Sequence, residues 1–474
     1  MIDEHILPNP HSPNNNFKWW TLGVVGAGTF MSAIDGSVVN TALPVIQKQI
    51  GAPVSTAVWM VLIYLLTVSS SLLIFGRLGD IYGQRVFYIS GMAIFVIGSF
   101  FCGLSRNVGL LVAFRGLQGL GAAALFALGP AILTGTFPDQ ERGRALGMQA
   151  TFTYLGLATG PTIGGLLTQH LGWPWIFFIN IPIGIIVILA ALRVLRHRER
   201  KVIRPFDAIG ATTLTLALVA LIFGIDSGAR YGWESPIILI SLITAGIALV
   251  LFLFVENRAT DPLVDLKLFA NRVFSASTMA AFLNYMATSS VNILMPFYLV
   301  SARGFRVDFA GYILVSTPLT MAIFTGWSGA ISDKIGQRLP ATIGMALTVI
   351  GILLLRTLSP VSPWWVIVLH LVLIGFGIGL FTSPNNSAIM GSAPRNRQGV
   401  AGAILAASRN IGFVFGTAFA TIIYTLHLDS FSPTVPSSVA ITDAMRQATT
   451  IIALIASVGI VISAIRGRAI NMRE

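Results

Sequence analysis

The chain has 474 residues, of which 55% are hydrophobic and only 10% charged, with 30 Lys and Arg against 18 Asp and Glu. Charges this sparse, gathered into short clusters between long apolar stretches, exclude an ordinary soluble enzyme, whose charged fraction is roughly 25%. The net charge of +12 is divided among short loops, which suits membrane orientation better than a nucleic-acid surface, and a lone Cys102 provides neither a disulfide framework nor a thiolate metal cluster.

Residues 1–18 are polar and rich in Pro and Asn, lack the pattern of a cleavable signal, and are expected to form a disordered tail. A helix needs about 20 apolar residues to cross the hydrocarbon core. On that criterion fourteen spans are predicted, at 19–43, 55–76, 86–105, 108–135, 145–169, 174–192, 208–225, 236–255, 273–301, 309–331, 339–358, 363–387, 398–424 and 446–465. An even number puts both termini on one side. The loops on that side carry the Lys and Arg residues by about three to one, so both termini are expected in the cytoplasm. The segment Arg193–Arg204 is the most basic of these loops and reads as a topological anchor on anionic lipid.

Two loops repeat. Gly76–Arg85 reads GRLGDIYGQR and Gly329–Arg338 reads GAISDKIGQR, which aligns Asp80 with Asp333, Gly83 with Gly336 and Arg85 with Arg338. Gly119 and Gly121 likewise match Gly375 and Gly377, and Gly156 and Gly160 match Gly412 and Gly416, in the same order and at nearly the same offset. The repeat implies a six-helix half at 19–192, a basic linker at 193–207, two inserted helices at 208–255, a second linker at 256–272, a second six-helix half at 273–465 and a tail at 466–474. Halves of this kind place a binding cavity at their interface near the bilayer midplane.

Of the acids, only Asp35 falls well inside a span. A charge at the bilayer centre costs about 2.5–3.5 kcal/mol and usually marks an ion or proton pathway; the plainer reading is a carboxyl hydrogen-bonded between helices. Arg115 is the cation of the same half, and Gln118 and Gly119 share its helix face. A guanidinium does not shuttle protons, but it can favour ionised Asp35 or hold a water relay. Gly156, Gly160, Gly164 and Gly165 recur at close to helical spacing beside Pro161, as close helix packing in lipid requires.

These residues resemble the fourteen-helix drug/proton antiporters of the major facilitator superfamily over nearly the whole chain. The likeness is carried by Ile34-Asp35-Gly36-Ser37 with Asn40 and Pro44, by the GRLGDIYGQR loop, by Arg115-Gly-Leu-Gln118-Gly119-Leu-Gly121, and by the Gly156–Gly165 run. Ile81 and Gln84 stand where that family's loop usually carries more positive charge. The resemblance implies an all-α membrane protein of the major facilitator fold with fourteen helices arranged six, two and six. It implies proton coupling through Asp35 and Arg115. It also implies a cytoplasmic gate of Gly76, Asp80, Gly83 and Arg85 with a counterpart in Asp333 and Arg338, and a hinge or seal in the glycine run.

For the substrate, Asn284, Thr288 and Asn292 recur every four residues beside Tyr285. Trp59, Tyr64, Gln118, Tyr154, Asn385, Asn386 and Arg409 are further candidates for the cavity lining, although interfacial anchoring or helix bonding accounts for any one of them. No phosphate loop, dinucleotide fingerprint or metalloprotease motif is present, and the six histidines are scattered. The expectation is a proton-coupled exporter of amphipathic or hydrophobic small molecules, multidrug efflux by alternating access. It would need no cofactor or metal beyond a proton gradient, bind no nucleic acid, and act as a monomer in the plasma membrane. An accessory export protein is left open. The rivals are an exporter dedicated to one endogenous metabolite or lipid and, outside transport, a membrane-embedded enzyme or receptor.

Overall fold

The computed structural model describes residues 15–138, 141–195, 207–259, 264–394, 397–431 and 435–467. The tail to residue 14 and most of the Arg193–Arg204 anchor lie outside these. Among the described residues the chain is helical, with sixteen α-helices. In order they are α1 (Asn15–Ile50), α2 (Val54–Tyr82), α3 (Gln84–Leu104), α4 (Val108–Thr136), α5 (Arg142–His170), α6 (Trp175–Phe178), α7 (Asn180–Val194) and α8 (Ala208–Tyr231). They continue as α9 (Pro236–Arg258), α10 (Arg272–Phe297), α11 (Val307–Leu314), α12 (Ser316–Ile335), α13 (Arg338–Leu354), α14 (Trp364–Gly391), α15 (Gln398–Asp429) and α16 (Ser437–Ile465).

Two predicted spans are interrupted, and proline explains both. Pro182 lacks the N–H that would bond the Phe178 carbonyl, and Pro318 lacks the one for Leu314, so α6 ends before α7 and α11 before α12. Helix α1 starts before the predicted first span and takes in part of the expected tail. Its Lys18 is buried and bonds Glu141 at 2.9 Å. Among the described residues, eleven helical segments are long and apolar enough to cross a membrane. Three predicted spans fall short: α8, whose apolar stretch Ile209–Ile225 is short, and α5 and α10, which are rich in small and polar residues such as Gly, Ser, Thr and Asn. Helix α10 is enclosed by protein along most of its length, and a helix shielded from lipid need not be apolar throughout.

The packing partners repeat along the chain. Helix α4 lies against α2 and α3 as α14 lies against α12 and α13, and α5 lies on α1 as α15 lies on α10. The glycine pairs act alike. Gly119 abuts α2 at Tyr64 and Gly375 abuts α12 at Thr317; Gly121 abuts α3 at Gly91 and Gly377 abuts α13 at Thr348. Gly156 and Gly160 meet α1 at Phe30 and Ser37, while Gly412 and Gly416 meet α10 at Phe282 and Met286. Helices α8 and α9 pack on each other, α8 also touching α2 and α15, and α9 leaves most of its apolar surface uncovered.

The apolar core is continuous at one end and divided at the other. Away from the first described residues, one cluster joins α1 and α2 to α10 and α15, through residues such as Val38, Leu62, Leu294 and Val414. At the end that holds Asn15, the clusters are separate, one around Leu22, Tyr88 and Leu128 and the other around Phe274, Ile389 and Ile404.

Candidate functional site

Asp35 sits midway along α1 and is fully buried. Its carboxylate accepts hydrogen bonds from three side chains on two other helices. Arg115 of α4 donates from Nη1 at 2.5 Å, Gln118 of α4 from Nε2 at 2.7 Å, and Asn180 of α7 from Nδ2 at 2.9 Å. An ionised carboxylate is acceptor-only, so a cage of donors suits it. Gln118 also donates to Ser99 Oγ at 2.7 Å, and Ser99 in turn donates to the Phe95 carbonyl.

Arg115 is held from several directions. Its Nε donates to the Met60 carbonyl at 3.0 Å, its Nη1 also reaches Gln118 Oε1 at 2.6 Å, and its guanidinium carbon lies 4.0 Å from the centre of the Tyr64 ring. Tyr64 donates to the Ser32 carbonyl. The ion pair thus bridges α1, α2, α4 and α7 inside one bundle, and protonation of Asp35 would remove the charge on which the cage converges.

The sequence-predicted residues divide into several groups. Asp35, Arg115, Gln118 and Tyr64 come together. Asn180 and Ser99 join them without being singled out by the sequence, where a lone Asn ahead of Pro182 in an otherwise apolar span is the available signal. In the glycine run, Gly156, Gly160 and Gly164 bring α5 onto α1, while Pro161 and Gly165 meet Gly311 and Val307 of α11. The run therefore serves two helix contacts. In the paired loops, Gly83 and Gly336 both adopt positive φ, at 106° and 85°, where other residues are strained. Gly76 has open space where a side chain would be, Arg85 donates to the Leu192 carbonyl at 2.7 Å, and Arg338 is exposed at the start of α13. The side chains of Asp80 and Asp333 lie outside what the structure describes.

The polar stripe of α10 is turned in more than one direction. Asn284 is fully buried and bonds Met345 Sδ on α13 at 3.4 Å, and Thr288 donates back to the Asn284 carbonyl. This differs from a cavity lining, because α10 is covered on nearly every side. Asn292 is half-buried. Asn385 is also buried, bonding the Ser277 carbonyl and accepting from Arg466, whereas Asn386 is half-buried. Arg466, the first residue of the expected tail, is buried; burial and the nearby Arg338 charge push its pKa down to about 10. Trp59 lies near Phe223 of α8, their rings 6.3 Å apart. Tyr154 of α5, Tyr285 of α10 and Arg409 of α15 form a separate half-buried group, with Tyr285 in electrostatic reach of the other two.

Comparison with known proteins agrees with this architecture. A family model described as Major Facilitator Superfamily matches residues 25–417 and, overlapping, 277–468. Riboflavin transporter RibZ of Clostridioides difficile is 35% identical over 407 residues, covering 85% of this chain and 87% of that protein. Multidrug resistance protein Stp of Mycobacterium tuberculosis is 32% identical over 405 residues, covering 85% and 75%. A solved structure of a bacterial homologue of the human lysosomal transporter Spinster matches 96% of this chain and 98% of its own with a TM-score of 0.70 at 15% identity, a likeness of fold.

Proposed function

The chain belongs to the major facilitator superfamily, as a multi-pass membrane transport protein for small molecules and not an enzyme, and on that premise we propose that it is a proton-coupled multidrug exporter. The observation that carries this reading is the buried Asp35 cage. A carboxylate enclosed by Arg115, Gln118 and Asn180 has two distinct states. Ionised, it ties α1 to α4 and α7; protonated, it gives up the ion pair and frees Arg115 to rely on Met60 and Gln118. Charge inside a span is costly unless it is used, and a switch of this kind links proton uptake to helix movement.

In this reading α1–α7 form one six-helix half and α10–α16 the other, with α8 and α9 as the insert, fourteen spans in all as in the drug/proton antiporters. The halves move against each other across the contacts that α5 makes with α11 and α2 makes with α15. Both termini lie in the cytoplasm and the protein works as a monomer in the plasma membrane, drawing on the proton gradient without a cofactor. The Gly76–Arg85 loop and its Asp333–Arg338 counterpart latch the cytoplasmic side.

The test is uptake into proteoliposomes under an imposed pH gradient, against a chemically diverse panel. Asp35→Asn keeps the shape of the side chain and removes the titrating group, so gradient-driven transport is expected to be lost while the protein stays folded. Full transport by that variant would refute the assignment. The identity to RibZ, named a riboflavin transporter, favours one second reading, an exporter dedicated to a single metabolite, which the same panel would reveal as transport of one compound class alone.

A further inference from the structure

Arg115 is neutralised by Asp35, but the other mid-helix arginine is not. Arg409 lies within α15, half-buried, and among the described residues its guanidinium takes no hydrogen bond and no ion pair. A cation at such a depth in a membrane helix is expensive without an anion or water beside it. Its surroundings are aromatic. One turn along the same helix Phe413 packs against Tyr285, ring centres 5.4 Å apart, and Phe282 packs against Phe415 at 5.7 Å. Gly412 keeps this contact close, since a side chain there would sit 3.0 Å from Tyr285 Cβ. Tyr154, on α5 of the opposite set of helices, lies within electrostatic reach of Tyr285.

We propose that Arg409, with Tyr154 and Tyr285, forms the subsite for an anionic group carried on an aromatic substrate. The inference rests on the exporter reading above and names its substrate class. A planar guanidinium presents parallel donors that match a carboxylate or sulfonate, and the flanking rings offer offset stacking to a flat hydrophobic body. With Asp35 already engaged by Arg115, the excess charge of the two sites together is positive. Anions are therefore drawn in and dications excluded. Because Tyr154 and Tyr285 come from different helix sets, a ligand held here touches both and senses their relative movement.

The test uses naphthalene-2-carboxylate and naphthalene-2-carboxamide, which share a ring system and differ in charge, titrated calorimetrically into the full-length protein in nanodiscs with empty nanodiscs subtracted. The carboxylate is expected to bind about tenfold more tightly. Arg409→Gln should bring the two affinities together by weakening the carboxylate alone, Arg409→Lys should keep part of the preference, and Tyr285→Leu should weaken both ligands. Equal affinities in the unmodified protein, a preference that survives Arg409→Gln, or no binding of either probe would each overturn the subsite. Proton-driven uptake of the carboxylate is measured on the same protein reconstituted into proteoliposomes under an imposed pH gradient. A charge preference without gradient-driven flux would uphold the subsite and refute proton coupling, so the two readings fail separately.

Discussion

Arg115 shows how much chemistry one side chain can hold. It uses Nε for the Met60 carbonyl, Nη1 for both Asp35 and Gln118, and its face for the Tyr64 ring. Lysine would keep the charge but offers a single ammonium without the planar fork. Arg115→Lys is therefore expected to cut gradient-driven transport by about tenfold, corresponding to loss of one charge-assisted bond of roughly 1.4 kcal/mol, and to alter its pH profile. Initial rates across a series of external pH values measure this; an unchanged profile would reduce Arg115 to a helix support. The pairing of Asp35 with Arg115 was legible from their residue types, whereas Asn180 was not, because its role depends on α7 crossing beside α1.

The helix contacts turn on glycines whose neighbours differ in kind. A Cβ at Gly416 would collide with the backbone carbonyl of Met286, and one at Gly160 chiefly with the hydroxyl of Ser37. A side-chain oxygen can rotate away and a backbone carbonyl inside a helix cannot. Gly416→Ala is therefore expected to lower stability by about 1–3 kcal/mol through forced separation of α15 from α10, and Gly160→Ala by less. Thermal unfolding in detergent followed by intrinsic fluorescence compares them, and equal losses would contradict the distinction. Glycine matches between the repeats announced close packing in the sequence; which helix each glycine would meet could not be read there, since spacing along a helix does not identify the partner.

Movement of the whole protein is constrained by where the core is continuous. Helices α5 and α11 meet through Gly165 and Gly311, and the Val307 amide donates to Gln169 Oε1 at 3.3 Å, at the end where one apolar cluster joins both helix sets. If access alternates between the two ends, this contact must part during each cycle. A cysteine at Gln169 and another at Val307, joined by a short thiol cross-linker in a Cys102→Ser background, are expected to halt transport reversibly with cleavage of the linker. Undiminished flux with the link in place would rule out parting at this seam.

The sequence by itself determined that the chain is a membrane protein made of helices, because the bilayer demands long uncharged runs and leaves the backbone few ways to satisfy its hydrogen bonds. It also singled out Asp35, since an acid at that depth is too costly to be incidental. Only the tertiary structure decided that Asn180 and Ser99 complete the Asp35 cage, that Asn284 turns toward Met345, and that Arg409 lies one turn from the Phe413–Tyr285 ring contact with no hydrogen bond or ion pair among the described residues. The reason is geometric. Helical periodicity assigns a residue to a face, but what that face meets depends on helix crossings set by small residues and prolines distributed over the whole chain.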